Sequence, residues 1–161
     1  MRLNVGYMYQ KPIGTSREVP VEIESFALDD LHIIGLKSVV QLSRTREGLL
    51  LQVKAEANVQ ADCVRCLDQF SLPLDVEFEE LYQFPSRRRQ ETDLILPDDG
   101  FVDLAPLFRE YLVLATPIKQ ICMPDCQGLC PICGVNLNNS DCEHETQQTL
   151  PSATTKADKV G

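Results

Sequence analysis

A chain of 161 residues with 43% apolar content is long enough for one domain with its own core, and it holds no apolar run long enough to span a membrane. Its formal net charge of −9 argues against tight nonspecific binding to nucleic acid, which needs many phosphates met by Lys and Arg. Seven cysteines, with no signal-peptide core at the N-terminus, point to metal ligation in a reducing cytoplasm rather than to a disulfide framework.

The first 16 residues carry no period and are expected to be irregular and loosely packed. From Arg17 to Glu24 polar and apolar residues alternate, with Val19, Val21 and Ile23 on one side, as in a half-buried strand; Asp29-Asp30 interrupts it. Leu36, Ser38, Val40 and Leu42 resume the period of two, and Arg46-Glu47-Gly48 reads as a hairpin turn with glycine supplying an unusual backbone angle. Leu49 to Asp62 is the cleanest strand in the sequence. Leu49, Leu51, Val53, Ala55, Ala57, Val59 and Ala61 share one face, and Gln52, Lys54, Glu56, Asn58, Gln60 and Asp62 the other. After Cys63-Val64-Arg65-Cys66 the alternation continues through Phe70, Leu72, Leu74, Val76 and Phe78, which places this cysteine pair at a hairpin tip. Successive strands with short turns predict an antiparallel sheet.

Residues 85 to 101 form a polar break containing Arg87-Arg88-Arg89, with a short edge strand expected at Asp93-Leu94-Ile95-Leu96. Asp103 is placed to cap a helix that tolerates Pro106 in its first turn. Leu104, Leu107, Phe108, Tyr111, Leu112 and Ala115 form its apolar stripe, and Thr116-Pro117 stops it. The tail beyond His144, poor in apolar residues, reads as disordered.

Cys122 to His144 carries five of the seven cysteines. Cys130-Pro131-Ile132-Cys133-Gly134 has the form of a metal knuckle, in which a thiolate pair bends back on one ion and the glycine permits the tight turn. Cys122-x3-Cys126 precedes it and Cys142-x-His144 follows, so with Cys63 and Cys66 there are eight candidate ligands, enough for two sites. The economical expectation is one structural zinc held by Cys130 and Cys133. Cys122, Cys126 and Cys142 compete to complete that site, or Cys63 and Cys66 do so from the hairpin tip.

Other chemistries fit less well. Cys-Pro-Ile-Cys resembles a thiol-redox site, but a turn sequence follows it and no βαβ unit precedes it. Cys126-x3-Cys130-x2-Cys133 has the spacing of a radical-SAM iron–sulfur triad, yet only 28 residues remain beyond it, too few for the barrel that triad serves; another kind of iron–sulfur cluster stays open. A zinc deaminase needs His-x-Glu followed by Pro-Cys-x-x-Cys, an order absent here. His32, beside Ile33-Ile34, reads as a strand-edge residue, and no phosphate loop or catalytic triad stands out.

Cys63-Val64-Arg65-Cys66-Leu67, the helix ending at Leu114-Ala115-Thr116-Pro117-Ile118, and the run Cys126-Gln127-Gly128-Leu129-Cys130-Pro131-Ile132-Cys133-Gly134-Val135-Asn136-Leu137-Asn138 together resemble the YceD family, the large ribosomal RNA subunit accumulation proteins of bacteria and plastids. The likeness runs from mid-chain to His144 and departs from it at Cys142-Glu143-His144, where the family pattern ends in Cys-x-Cys. The resemblance implies a non-enzymatic role in the synthesis, processing or stability of large-subunit (23S) ribosomal RNA, with thiol-redox or iron–sulfur chemistry as the alternative.

The sequence thus predicts an α+β chain in three parts: a sheet-and-helix domain over 1–120, a Cys-rich zinc-binding segment over 121–145, and a disordered tail over 146–161. The sheet is expected to be curled and barrel-like, with five or six strands. Expected partners are large-subunit ribosomal RNA, a basic ribosomal protein, or both, with neither a membrane nor a small-molecule substrate. An acidic face around Asp75, Glu77, Glu79 and Glu80 would attract a basic protein. Direct RNA contact would instead use Arg65, Arg87, Arg88 and Arg89, with Phe70, Tyr82 and Phe84 as stacking aromatics.

Overall fold

The computed structural model describes residues 1–28, 31–87 and 94–144. Among these lie seven strands, β1 (Arg2–Asn4), β2 (Ser16–Ile23), β3 (Phe26–Leu28), β4 (Leu31–Arg44), β5 (Gly48–Asp62), β6 (Gln69–Gln83) and β7 (Phe101–Asp103), and one helix, α1 (Ala105–Ala115). The main sheet is antiparallel in the order β2-β4-β5-β6, with β3 sharing with β2 one edge of β4; β1 and β7 form a separate two-stranded ribbon. The tail over 146–161, expected to be disordered, lies outside the described residues, as do Asp29, Asp30 and Asp93.

The sheet is open, which corrects the barrel-like expectation. β2 and β6 do not pair with each other. Alternation in a sequence specifies that one face is buried but not how. Here it is covered by α1 and the N-terminal segment, so closure of the sheet on itself is not needed.

The β5–β6 hairpin is the axis of the fold. Its ladder runs without interruption from Gly48↔Gln83 to Asp62↔Gln69, a length of roughly 50 Å at the usual rise per residue. Leu49, Leu51, Val53 and Val59 are buried on one face, facing the core with Leu74, Val76, Phe78 and Tyr82 of β6. Phe78 stacks on Tyr111 of α1 at 4.0 Å between centroids, and Phe108 meets Phe78 edge-on at 5.8 Å. Leu104, Leu107, Phe108 and Leu112 bury the expected stripe of the helix; Ala115, in the last turn, is exposed. The helix N-cap is Leu104, not the expected Asp103, whose Oδ1 nonetheless accepts the Ala105 N–H at 3.0 Å in the first turn.

Three local expectations change. The first residues are not loose: Leu3 pairs with Val102, and Val5 and Met8 are fully buried, each worth about 1.5–3 kcal/mol over exposure. At the β4–β5 turn, Thr45 closes the loop on Gly48 through both backbone and hydroxyl bonds, and Gly48 has no left-handed angle. Glycine is needed there for space, because a Cβ would fall on the Tyr82 carbonyl oxygen and 2.8 Å from Gln83 Cα. The expected edge strand near 93–96 is a single parallel bridge, Gln83↔Ile95, with Leu96 buried.

Candidate metal centres

The hairpin tip and the segment after α1 meet. Val64 N–H donates to Gln120 O at 2.8 Å and Leu129 N–H to Arg65 O at 3.1 Å, so residues 120–129 are stitched to the end of the β5–β6 hairpin. This brings the sulfurs of Cys63, Cys66, Cys122 and Cys126 together, all within 4.8 Å of one another. Cys130, Cys133, Cys142 and His144 form a second four-ligand group on the same criterion. All seven cysteines are free thiols and every one belongs to a group. The expected single site built around Cys130 and Cys133 is therefore divided: Cys122 and Cys126 join the hairpin tip, and Cys142 joins the knuckle with His144.

The inner group, that of the hairpin tip, has Cys63, Cys66 and Cys126 buried. Its Cys63–Cys126 and Cys66–Cys122 sulfur distances are 3.8 and 3.6 Å. Four thiolates at about 2.3 Å around a tetrahedral ion would be about 3.8 Å apart, so this donor set fits a zinc-type ion. The acid–base balance is compatible with a cation. Burial raises the Cys63 thiol, but N–H donors of Cys66, Cys122 and Arg65 outweigh it and bring it down to about 6. The Asp68 N–H lowers Cys66, yet burial and the sulfurs of Cys63, Cys122 and Cys126 push it up to about 12. One thiolate is welcome and the next is opposed by it; a divalent ion at the centre reverses that opposition.

The outer group is more open. Cys130 is buried, Cys142 half-buried, and Cys133 and His144 exposed. The Cys130 sulfur lies 4.0 Å from His144 Nδ1. N–H groups of Cys133 and Ile132 bring Cys130 down to about 6. The His144 N–H lowers Cys142, but the Cys130 sulfur, burial and the charges of Cys130 and Cys133 leave it raised.

Both groups rest on one backbone form. In the first knuckle Leu67 N–H donates to Cys63 O and Cys63 N–H to Asp68 O; in the second Gly134 N–H donates to Cys130 O and Cys130 N–H to Val135 O, all at 2.8–2.9 Å. The residue after the second cysteine is left-handed in each, Leu67 at φ 61° and Gly134 at φ 73°. Glycine meets that requirement freely, as read from sequence; leucine does so at a cost of about 1–2 kcal/mol.

Sequence reasoning missed the asparagines that join the knuckles. Asn138 Nδ2 donates to the Cys126 sulfur at 3.4 Å and its Oδ1 accepts the Gln127 N–H at 2.8 Å. Asn136 Nδ2 donates to Asp68 Oδ2 at 2.6 Å, and Leu129 bridges Asn136 antiparallel. The signal was the Asn-Leu-Asn after Gly134, legible only as a turn.

The profile of a family described as large ribosomal RNA subunit accumulation protein YceD matches residues 51–154, which take in both knuckles and α1. The chain belongs to the YceD family. Relatives include uncharacterized proteins of Mycobacterium bovis and Mycobacterium tuberculosis, each 28% identical over 150 residues, covering 91% of this chain and 71% of theirs. An uncharacterized protein of Mycobacterium leprae is 26% identical over 102 residues, 61% of this chain and 47% of its own length. No solved structure matches.

Other residues singled out in this YceD chain fall as follows. Arg65 is exposed and donates to Cys126 O at 2.9 Å, so it also braces the inner group. Arg87 is exposed in a 3-10 turn, Pro85–Arg87; Arg88 and Arg89 lie outside the described residues. Phe70 packs against the inner cysteines, Tyr82 is buried, and Phe84 is covered edge-on by Tyr9 and by the Arg44 guanidinium, so the expected stacking platform is folded inward. His32 is exposed and bonded to Gln60 at 2.7 Å.

The outer face of the main sheet carries Glu18, Glu22, Glu56, Asp75, Glu77 and Glu79 against Lys37 and Lys54, all exposed. Lys54 pairs with Glu77 at 2.9 Å. A shallow trough of about 490 Å³ crosses β2, β4, β5 and β6 here, with Pro20 and Val39 among the residues lining it. Glu80 does not belong to this face: it turns toward α1 and accepts the Tyr111 hydroxyl at 2.7 Å. No helix among the described residues is long and apolar enough to cross a membrane.

Proposed function

We propose that this chain acts in the cytoplasm as a non-enzymatic factor for large-subunit ribosomal RNA accumulation, meeting a basic ribosomal protein on the acidic outer face of its sheet. The family supplies the process. The observation that carries the mode of action is the charge of that face, where Glu22, Glu56, Asp75 and Glu77 line the trough against Lys37 and Lys54, with Pro20 and Val39 beside them. Such a surface repels phosphate and steers a cationic segment to itself. In this reading the inner group holds a structural zinc that fixes residues 120–138 to the hairpin tip. Allotting every cysteine to a four-ligand group supports that over thiol-redox cycling, which needs a thiol pair left free to exchange.

The test is in-cell crosslinking of the tagged chain, recovering RNA and protein from the same sample. Crosslinks to large-subunit ribosomal proteins are expected, and the combined change Glu56→Lys, Asp75→Lys and Glu77→Lys should abolish them. If the crosslinks go instead to large-subunit RNA, survive that change and disappear when Arg87, Arg88 and Arg89 become Ala, the protein-partner reading is replaced by direct RNA contact. Added salt would then weaken binding steeply.

A further inference from the structure

We infer that Cys130, Cys133, Cys142 and His144 hold a second divalent metal ion, separate from the inner one, and that this ion exchanges with solution while the fold persists. Its four candidate ligands, three thiols and one imidazole, lie within 4.8 Å of one another, a combination suited to zinc. The second knuckle is preformed: its backbone bonds repeat those of the first, and its turn is closed by a left-handed glycine. None of its four ligands is shared with the inner group.

Exchange follows from where the ligands come from. The inner set joins residues 63 and 66 to residues 122 and 126, and most of it is buried, so releasing its ion detaches one part of the fold from another. The outer set spans only residues 130 to 144 and exposes Cys133 and His144 to solvent. The base of its knuckle keeps its place without metal, because Leu137 N–H bonds Gly128 O at 2.9 Å and Asn136 bonds Asp68. Loss of the outer ion therefore frees Cys142 to His144 and leaves the sheet, helix and inner group intact.

The experiment measures zinc per chain in the full-length protein purified under reducing conditions, beside the double variant Cys133→Ser/His144→Ala. Expected are two ions in the parent and one in the variant, with unchanged far-UV circular dichroism. A chromogenic chelator should remove half of the parent's zinc at least tenfold faster than the rest, and the fast half should be missing from the variant. Cobalt substitution adds a readout of ligand type, since the thiolate-to-metal charge-transfer band should fall by about three-sevenths in the variant, from seven thiolates to four. One ion in parent and variant alike overturns this inference and leaves the inner zinc standing. One ion in the parent and none in the variant overturns the inner zinc and leaves an outer ion. Two ions released in a single phase overturn exchange, and no ion in either protein overturns both assignments.

Discussion

Cys63 to Leu67 and Cys130 to Gly134 fold into the same knuckle with the same pair of backbone bonds, yet they serve different surroundings. The first sits at the tip of a long hairpin and draws its other ligands from residues nearly sixty positions away, in a pocket closed to solvent on three of its four sulfurs. The second draws everything from its own neighbourhood and leaves half of its ligands exposed. A metal knuckle is thus a local motif whose energetic weight is set by what it ties together, not by its own geometry.

The sharpest way to break the comparison is to remove one sulfur from each group. Cys66→Ser should cost about 3–5 kcal/mol and lower the urea midpoint accordingly, because the proposed inner zinc loses a ligand within a buried set of thiols. Cys133→Ser should cost under about 1 kcal/mol by the same measurement. Equal losses would mean that the two groups carry equal structural weight.

Asn138→Ala should weaken metal binding at the inner group by about tenfold in a competition titration and leave the outer group unchanged, since its amide donates to the Cys126 sulfur. Tyr111→Phe is a control outside both groups, and its effect should depend on pH. The Glu80 carboxylate, and burial after it, hold the Tyr111 hydroxyl at about 12, above its ordinary 10.0. A group whose folded value is raised contributes stability that is complete below pH 10 and lost as pH approaches 12. The variant should be less stable by about 1 kcal/mol at neutral pH and should converge with the parent across that window, without change in metal content. Smallest is the exchange of the two left-handed residues. Gly134→Ala should cost about 1 kcal/mol, while Leu67→Gly should gain about 0.5 kcal/mol, strain relief offset by a freer unfolded chain.

Much of this was legible in the sequence. The alternation from Leu49 to Phe78 specified the hairpin, its faces and the position of Cys63 and Cys66 at its tip, because a period of two has one structural meaning when half of it is apolar. Which cysteines stand together was not legible. Spacing groups Cys126 with Cys130 and Cys133, but the reach of the hairpin tip decides, and that is a property of the folded chain. Glu80 lies between Phe78 and Tyr82 in the inward alternation of β6, so the period places it inside although the acidic run around it reads as outer, and Tyr111 is its partner there. The stacking aromatics failed likewise, since Tyr82 follows the inward alternation of its own strand.

Cys126 and Cys130 stand four positions apart and belong to different groups of candidate ligands. Before the hairpin exists, Cys122, Cys126, Cys130 and Cys133 lie within twelve residues and can close on a single ion with little loss of chain entropy. Such an ion would be mispaired, and it would hold the segment away from Cys63 and Cys66. Folding in the presence of metal therefore becomes a race between hairpin zipping and premature capture, and excess zinc should slow refolding rather than speed it. The N-terminal half of the chain, emerging first during synthesis, gives the hairpin its head start.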